Sequence, residues 1–311
     1  MKWWNLQRRQ VLLALPFVLF GPAAASAQPT PAEFDSFKTR IDEAVGTFSS
    51  HPRLKGLSQK QREGLAEFVA GNMLFVLLHE LAHASISEFD LPVLGKEEDA
   101  ADAFASLTLI HIKSEFSGRV LEAAAKGWFM SDRRDKAEGD SLPYYDEHGL
   151  NQQRAFQIVC YMVGGDPARF TAVADEVKLP KERQQTCRED YEKAAKSWGM
   201  VLQPHVRTAG QPETKIDVAY GEAKGRLEVP AQISRSVKLL EPVARRSAEL
   251  AVWPAPFSLE MQSCGFINAR WNRPTRKLTL CYELAADFAE LYRAYGIEQA
   301  DSRSHKKKPP R

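Results

Sequence analysis

Before His205, apolar residues along this chain recur mostly at three- and four-residue spacing; after it they alternate at spacing two. Phe34, Phe37, Ile41 and Val45 mark a helix over 31–49, followed by a loop at 51–56. Ser58 stands where an N-cap belongs for a long helix running through Leu65, Phe68 and Val69 to Ile86. Pro92 and Gly95 bracket a turn. A new helix opens at Lys96-Glu97-Glu98-Asp99, whose acids suit the positive end of a helix dipole, and continues through Ala103, Phe104, Leu107 and Leu109. Residues 131–149 are polar, carry Pro143 and two glycines, and read as a loop. Helices follow over 150–163, 167–177 (Asp166 as cap, Pro167 at its first position) and 181–198. The alternation then predicts strands at Ile216–Tyr220, Phe257–Met261 and Leu278–Tyr282. An amphipathic helix over 231–250 separates the first two, a turn at 272–275 precedes the last strand, and a helix over 285–295 closes the fold. The expectation is a mainly helical α+β protein with a helical lobe over 28–205 and a smaller α+β lobe over 206–300.

Both ends stand outside that pattern. Lys2, Arg8 and Arg9 precede an apolar run over 11–20, and Ala25-Ser26-Ala27 follows, the layout of an export leader over 1–27 with cleavage before Gln28. The apolar run is shorter than the roughly 20 residues of a membrane span. The paired arginines admit either the general or the twin-arginine export route, to the periplasm or beyond. Residues 301–311 form a basic tail of solvated composition. The formal charge of +2 belongs to these ends; without them, residues 28–300 carry −5, which speaks against a nucleic-acid partner. Four cysteines in an exported chain allow two disulfides, of which Cys160–Cys187 with Cys264–Cys281 is the most local pairing.

Chemistry concentrates in Met73–His83, MLFVLLHELAH. His79 and His83, four apart on a helix, share a face, and Glu80 stands at its edge. Three polar groups in an apolar helix need partners, and the H-E-x-x-H order is that of two zinc ligands and the glutamate that works on the metal's water. A catalytic zinc needs a third protein ligand. Glu98 is the nearest source, with Asp102, four residues on, placed to accept the second ring N–H of a ligand histidine. Glu97 and Asp99 read as solvated first-turn acids, and His111, among Leu109, Ile110 and Ile112, as a core histidine.

HELAH followed by EDAAD resembles the gluzincin class of zinc metallopeptidases, whose glutamate ligand lies on a helix after the H-E-x-x-H helix. HELAH…LPVLGKEEDAADAFA, DEHGLNQQRAF and CGFINARWN…LTLCYEL are more closely similar to a family of exported bacterial metallopeptidases, a domain of unknown function. The resemblance implies Zn2+ held by His79, His83 and Glu98, and Glu80 as base. It implies a peptide or protein substrate outside the cytoplasm. In gluzincins a sheet precedes the metal helix; here the strand candidates follow it, so a circularly permuted zincin-like layout is expected, with the sheet beside the metal helix and either a strand near Asn268–Trp271 or its partner at Leu278–Tyr282 offering an edge to an extended peptide. An oxyanion donor is sought among Tyr144, Tyr145, His148 and Arg154, with His148 first. Two other readings stand beside a peptidase: an inactive metal-binding envelope protein that holds a partner, and a zinc hydrolase of non-peptide amides. Oligomeric state is unread.

Overall fold

The computed structural model describes residues 31–48 and 51–297; the leader and the basic tail expected from the sequence lie outside the described residues. Seven helices come first: α1 (Pro31–Phe48), α2 (Gln59–Phe89), α3 (Glu97–Ile112), α4 (Glu115–Glu138), α5 (Asn151–Gly165), α6 (Pro167–Glu176) and α7 (Lys181–Leu202). Then come β1 (Ile216–Tyr220), α8 (Glu228–Ser236), α9 (Glu241–Leu250), β2 (Phe257–Gln262), β3 (Ala269–Asn272), β4 (Lys277–Cys281) and α10 (Tyr282–Leu291). This is a mainly helical α+β fold with a small mixed sheet near its C-terminal end.

Helix α2 is the axis. Ser58 and Gln61 close a reciprocal capping box at its start, and Asp90 ends it in the left-handed region with φ 53°. From Leu65 onward it is apolar nearly all round, which marks a helix enclosed by protein. It is long and apolar enough to cross a membrane, yet 94% of its most apolar window is buried inside the fold. Asn72 is the fully buried polar exception in its first half. Its amide donates to the carbonyls of Phe68 and Ala123, and only glycine fits opposite, since a Cβ on Gly127 would lie 2.2 Å from Asn72 Oδ1.

The sheet has the order β1-β2-β4-β3, with β1/β2 and β2/β4 parallel and β3/β4 antiparallel. Strands β3 and β4 pack on α2, as does α10. One hydrophobic core runs from Phe37 on α1 through α2 and the sheet to Tyr292. Disulfides join Cys160 on α5 to Cys187 on α7, and Cys264 in the β2–β3 loop to Cys281 at the end of β4. Both fit an oxidising, extracytoplasmic setting.

Two expectations need correcting. The polar stretch after 130 is not all loop: α4 continues to Glu138 and stops at Gly139, φ 78°. Its residues lack an apolar stripe but favour helix, and an Asp132–Lys136 ion pair one turn apart supports the end. The helix over 231–250 is two helices, because Lys238 takes a left-handed φ of 52° and Pro242 restarts the second.

Candidate metal centre

The turn at 90–96 folds α3 back alongside α2, with the Leu91 N–H donating to the Ile86 carbonyl. That reversal sets the first turn of α3 against the end of α2 where the two histidines lie. His79 Nε2 stands 3.1 Å from His83 Nε2 and 3.0 Å from Glu98 Oε2, and His83 Nε2 is 3.4 Å from Glu98 Oε1. An ion bonded tetrahedrally at about 2.0–2.2 Å holds its ligand atoms roughly 3.3–3.6 Å apart. The three separations lie at or a few tenths of an ångström below that range, with a different Glu98 oxygen toward each ring. Two ring nitrogens and a carboxylate turned toward one point form the donor set of a divalent metal, and the residues fit the group.

Each ring is held from behind. The His79 Nδ1 lies 2.9 Å from Asp102 Oδ1, and Asp102 in turn accepts two bonds from Arg154, at 2.7 and 2.9 Å. The Arg154 guanidinium lies 3.8 Å over the Trp128 ring, so this chain of partners is buried throughout. The His83 Nδ1 lies 2.7 Å from Glu97 Oε1, at a half-exposed position. Glu97 is therefore a partner and not only a solvated first-turn acid. Its position beside Glu98 carried no signal that separated it from Asp99.

Charges follow from these contacts. Burial alone would raise the Asp102 carboxyl; the Arg154 charge and hydrogen bonds and the His79 bond outweigh it and hold Asp102 well below the carboxylate range. Burial likewise works against Glu98, but bonds to His148, His79 and His83 drive its pKa down. Glu80 moves the other way. Burial pushes it up against the opposing influence of His79, His83 and the Trp271 N–H. A carboxylate with raised proton affinity beside two metal-type ligands is suited to accept a proton.

Glu80 has a partner that no side-chain pattern announces: the backbone N–H of Trp271 on β3 donates to its Oε2 at 2.9 Å. The sheet therefore adjoins α2 although it follows it in the chain. His148, on the loop after α4, lies with Nε2 3.0 Å from Glu98 Oε2 and Nδ1 2.9 Å from Asp146 Oδ1. Lys96 pins that loop by donating to the carbonyls of Asp146 and His148. Among the other oxyanion candidates, Arg154 is buried on Asp102 and Tyr144 and Tyr145 face solvent. A cleft of about 650 Å³ opens at His79 and Glu80, walled by Trp128, His148 and the strand-entry residues Ile267, Asn268 and Ala269. A second group of ligand types, Cys264, Cys281 and Glu283, is no metal site, since both cysteines are in a disulfide.

Comparison with known proteins agrees with this geometry. Residues 41–202 match the model of a family described as "putative metallopeptidase", and the chain belongs to that family. The match takes in the histidine pair, Glu80, Glu97, Glu98, Asp102, His148 and Arg154, and ends before the sheet that bonds Glu80. No curated protein and no solved structure matches the chain. The family implies a metal ion, and the cluster of His79, His83 and Glu98 could hold one.

Proposed function

We propose that this chain is a zinc-dependent peptidase acting outside the cytoplasm, with His79, His83 and Glu98 as metal ligands and Glu80 as general base. The observation that carries it is the 3.0–3.4 Å spacing of two Nε2 atoms and a carboxylate, with Glu80 fixed alongside. Two imidazoles and one carboxylate, with a position left open, suit catalytic zinc. When bound, the ion polarises the scissile carbonyl and brings water toward ionisation near neutral pH. Glu80 removes the proton from the attacking water and returns it to the departing amine. Asp102 and Glu97 fix the tautomer and direction of the two imidazoles. His148 would meet the charge growing on the carbonyl oxygen through its Nε2, which turns for this from Glu98 while Nδ1 stays on Asp146.

Strand β3 supplies the substrate rail in this reading. It is one of the two sheet edges, and Asn268 and Cys281 are already bonded on its β4 side. In an antiparallel ladder alternate residues turn the other way, so Ala269 and Trp271 direct their backbone groups to the cleft, as the Trp271–Glu80 bond requires. An extended peptide can add there by strand pairing. On this view the lobe over 28–205 brings the ligands and the lobe over 206–300 brings the rail, in a permuted order.

Metal analysis of purified protein joined to a peptide-library assay tests the proposal. The expected result is about one zinc per chain and cleavage of unstructured peptides. Glu80→Gln should keep the zinc and lose cleavage by about 10²–10⁴-fold. Undiminished cleavage in Glu80→Gln, or full zinc content in Glu98→Ala, would overturn the corresponding role.

A further inference from the structure

The α2–α3 pair has two sides. The far one shares no lining residue with the cleft and borders an almost wholly apolar cavity of about 340 Å³, with Leu78 and Leu81 from α2, Leu107 from α3, Trp198 from α7 and Arg246 from α9. On the near side the polar side chains are joined in a series that crosses four helices: His79 on α2, Asp102 on α3, Arg154 on α5 and Trp128 on α4. Arg154, the charged end of that series, is used by no step of the chemistry proposed above.

Arg154 meets Asp102 as a fork. Its Nε donates to Oδ2 at 2.7 Å and its Nη2 to Oδ1 at 2.9 Å, so two parallel N–H groups fix both the place and the plane of the carboxylate. Oδ1 is shared. The same atom lies 2.9 Å from His79 Nδ1, and the Nε2 of that ring faces Glu98 and His83. A turn of the carboxylate about its own bond would carry the ring with it and swing Nε2 off the point where the three donor atoms converge. Water offers little substitute, because the side chains of His79, Asp102 and Arg154 are only 6%, 8% and 8% exposed. The guanidinium is itself held: the Trp128 ring lies against its face, with Cζ 3.8 Å from the ring centroid.

An ion pair that only joined α3 to α5 could be made by a lysine, whose single charged atom sets no plane. The other ring provides a contrast. His83 leans on Glu97, whose side chain is half-exposed and can turn in water. One imidazole is clamped from behind and the other is only steadied.

We propose that Arg154 is a positioning residue for the metal: through its fork on Asp102 it sets the direction of the His79 ring, and Trp128, a wall of the cleft, backs it. It acts on the metal only through Asp102 and His79. This role rests on His79 being a ligand, as proposed above.

The test is metal binding by the intact mature protein, stripped with a chelator and reloaded with Zn2+ or, for a visible spectrum, with Co2+. Arg154→Lys keeps the charge and removes the fork, and thermal unfolding of the metal-free protein verifies that it is folded. Its zinc affinity, by chelator competition, should fall about tenfold, the scale set by partners behind a metal-bound histidine. At full occupancy its Co2+ bands should differ in position and intensity from those of the parent. A turned imidazole changes the ligand field, whereas a loss of stability alone does not. If Arg154→Lys does not fold, Trp128→Leu takes its place: it removes the backing ring and no polar atom of the series, and should alter the Co2+ bands with a smaller loss of affinity. The parent's Co2+ spectrum at full occupancy, in whichever of the two is used, overturns the role whatever the affinity. So does tighter zinc binding in folded Arg154→Lys, which would make the guanidinium a brake on His79 and not its guide. A parent protein that binds neither metal overturns the reading of the site itself, and the role of Arg154 with it.

Discussion

The near and far sides of the α2–α3 pair are made by the same two helices yet differ in how their polar groups are satisfied. On the near side the chain supplies its own partners: His79 on Asp102, Asp102 on Arg154, His83 on Glu97, Glu80 on the Trp271 N–H. On the far side the wall is almost wholly apolar; Arg246 pairs with Glu249 through one N–H group and keeps two buried N–H groups unmatched. The near side is preorganised: its geometry is fixed by the chain's own contacts, as the proposed ligands and base would require.

Substitutions can break that contrast. The largest effect on stability is expected from Asp102→Ala. It strands the Arg154 guanidinium and the His79 ring in the interior, and should cost about 3–5 kcal/mol in denaturant unfolding. A loss below about 1 kcal/mol would show that the near side is less interlocked than its contacts suggest. Glu97→Gln probes the half-exposed partner of His83. Zinc affinity, read by chelator competition, should fall by about tenfold, the low end for an outer partner, with stability nearly unchanged. Arg246→Met probes the far side. Removing a partly unsatisfied guanidinium from an apolar wall should leave stability within about 1 kcal/mol of the parent or raise it. A loss as large as that of Asp102→Ala would erase the distinction.

The smallest effect concerns acid. Burial, with a lesser contribution from Lys113, lowers the His111 pKa below its ordinary 6.5. The unfolded chain then takes up this proton first, so the stability tied to neutral His111 is present above pH 6.5 and is lost as pH falls through the lower folded value. Thermal unfolding of His111→Gln should accordingly show a shallower fall over that acid window than the parent.

Much of the near side was legible because its chemistry is local. H-E-x-x-H fixes two rings and a carboxylate by helical period, and a Pro–Gly turn before an acidic helix start tells which carboxylate returns. Glu97 was hidden because adjacent first-turn acids differ only by 100° of helical phase, and nothing in the sequence sets that phase against α2. The far side was not legible at all. Leu81, Leu107 and Trp198 look the same in a sequence whether they meet each other or enclose a void, and Arg246 lay in what read as one amphipathic helix. In the fold, α4 drew no reading of its own, and its end past 130 read as loop because a charged helix end has propensity but no apolar stripe to announce it.

The hydrogen bond from β3 to Glu80 has a genetic consequence. Its donor is an amide that every residue except proline carries, so exchanging the Trp271 side chain for alanine leaves the donor in the chain. A scan that reports Trp271 as dispensable would be blind to what position 271 contributes. Only Trp271→Pro deletes the N–H, and because residue 271 faces away from β4 it does so without removing a rung of the β3–β4 ladder. The setting of this glutamate is thus inherited through the course of the backbone, and can persist in relatives whose sequences there have drifted.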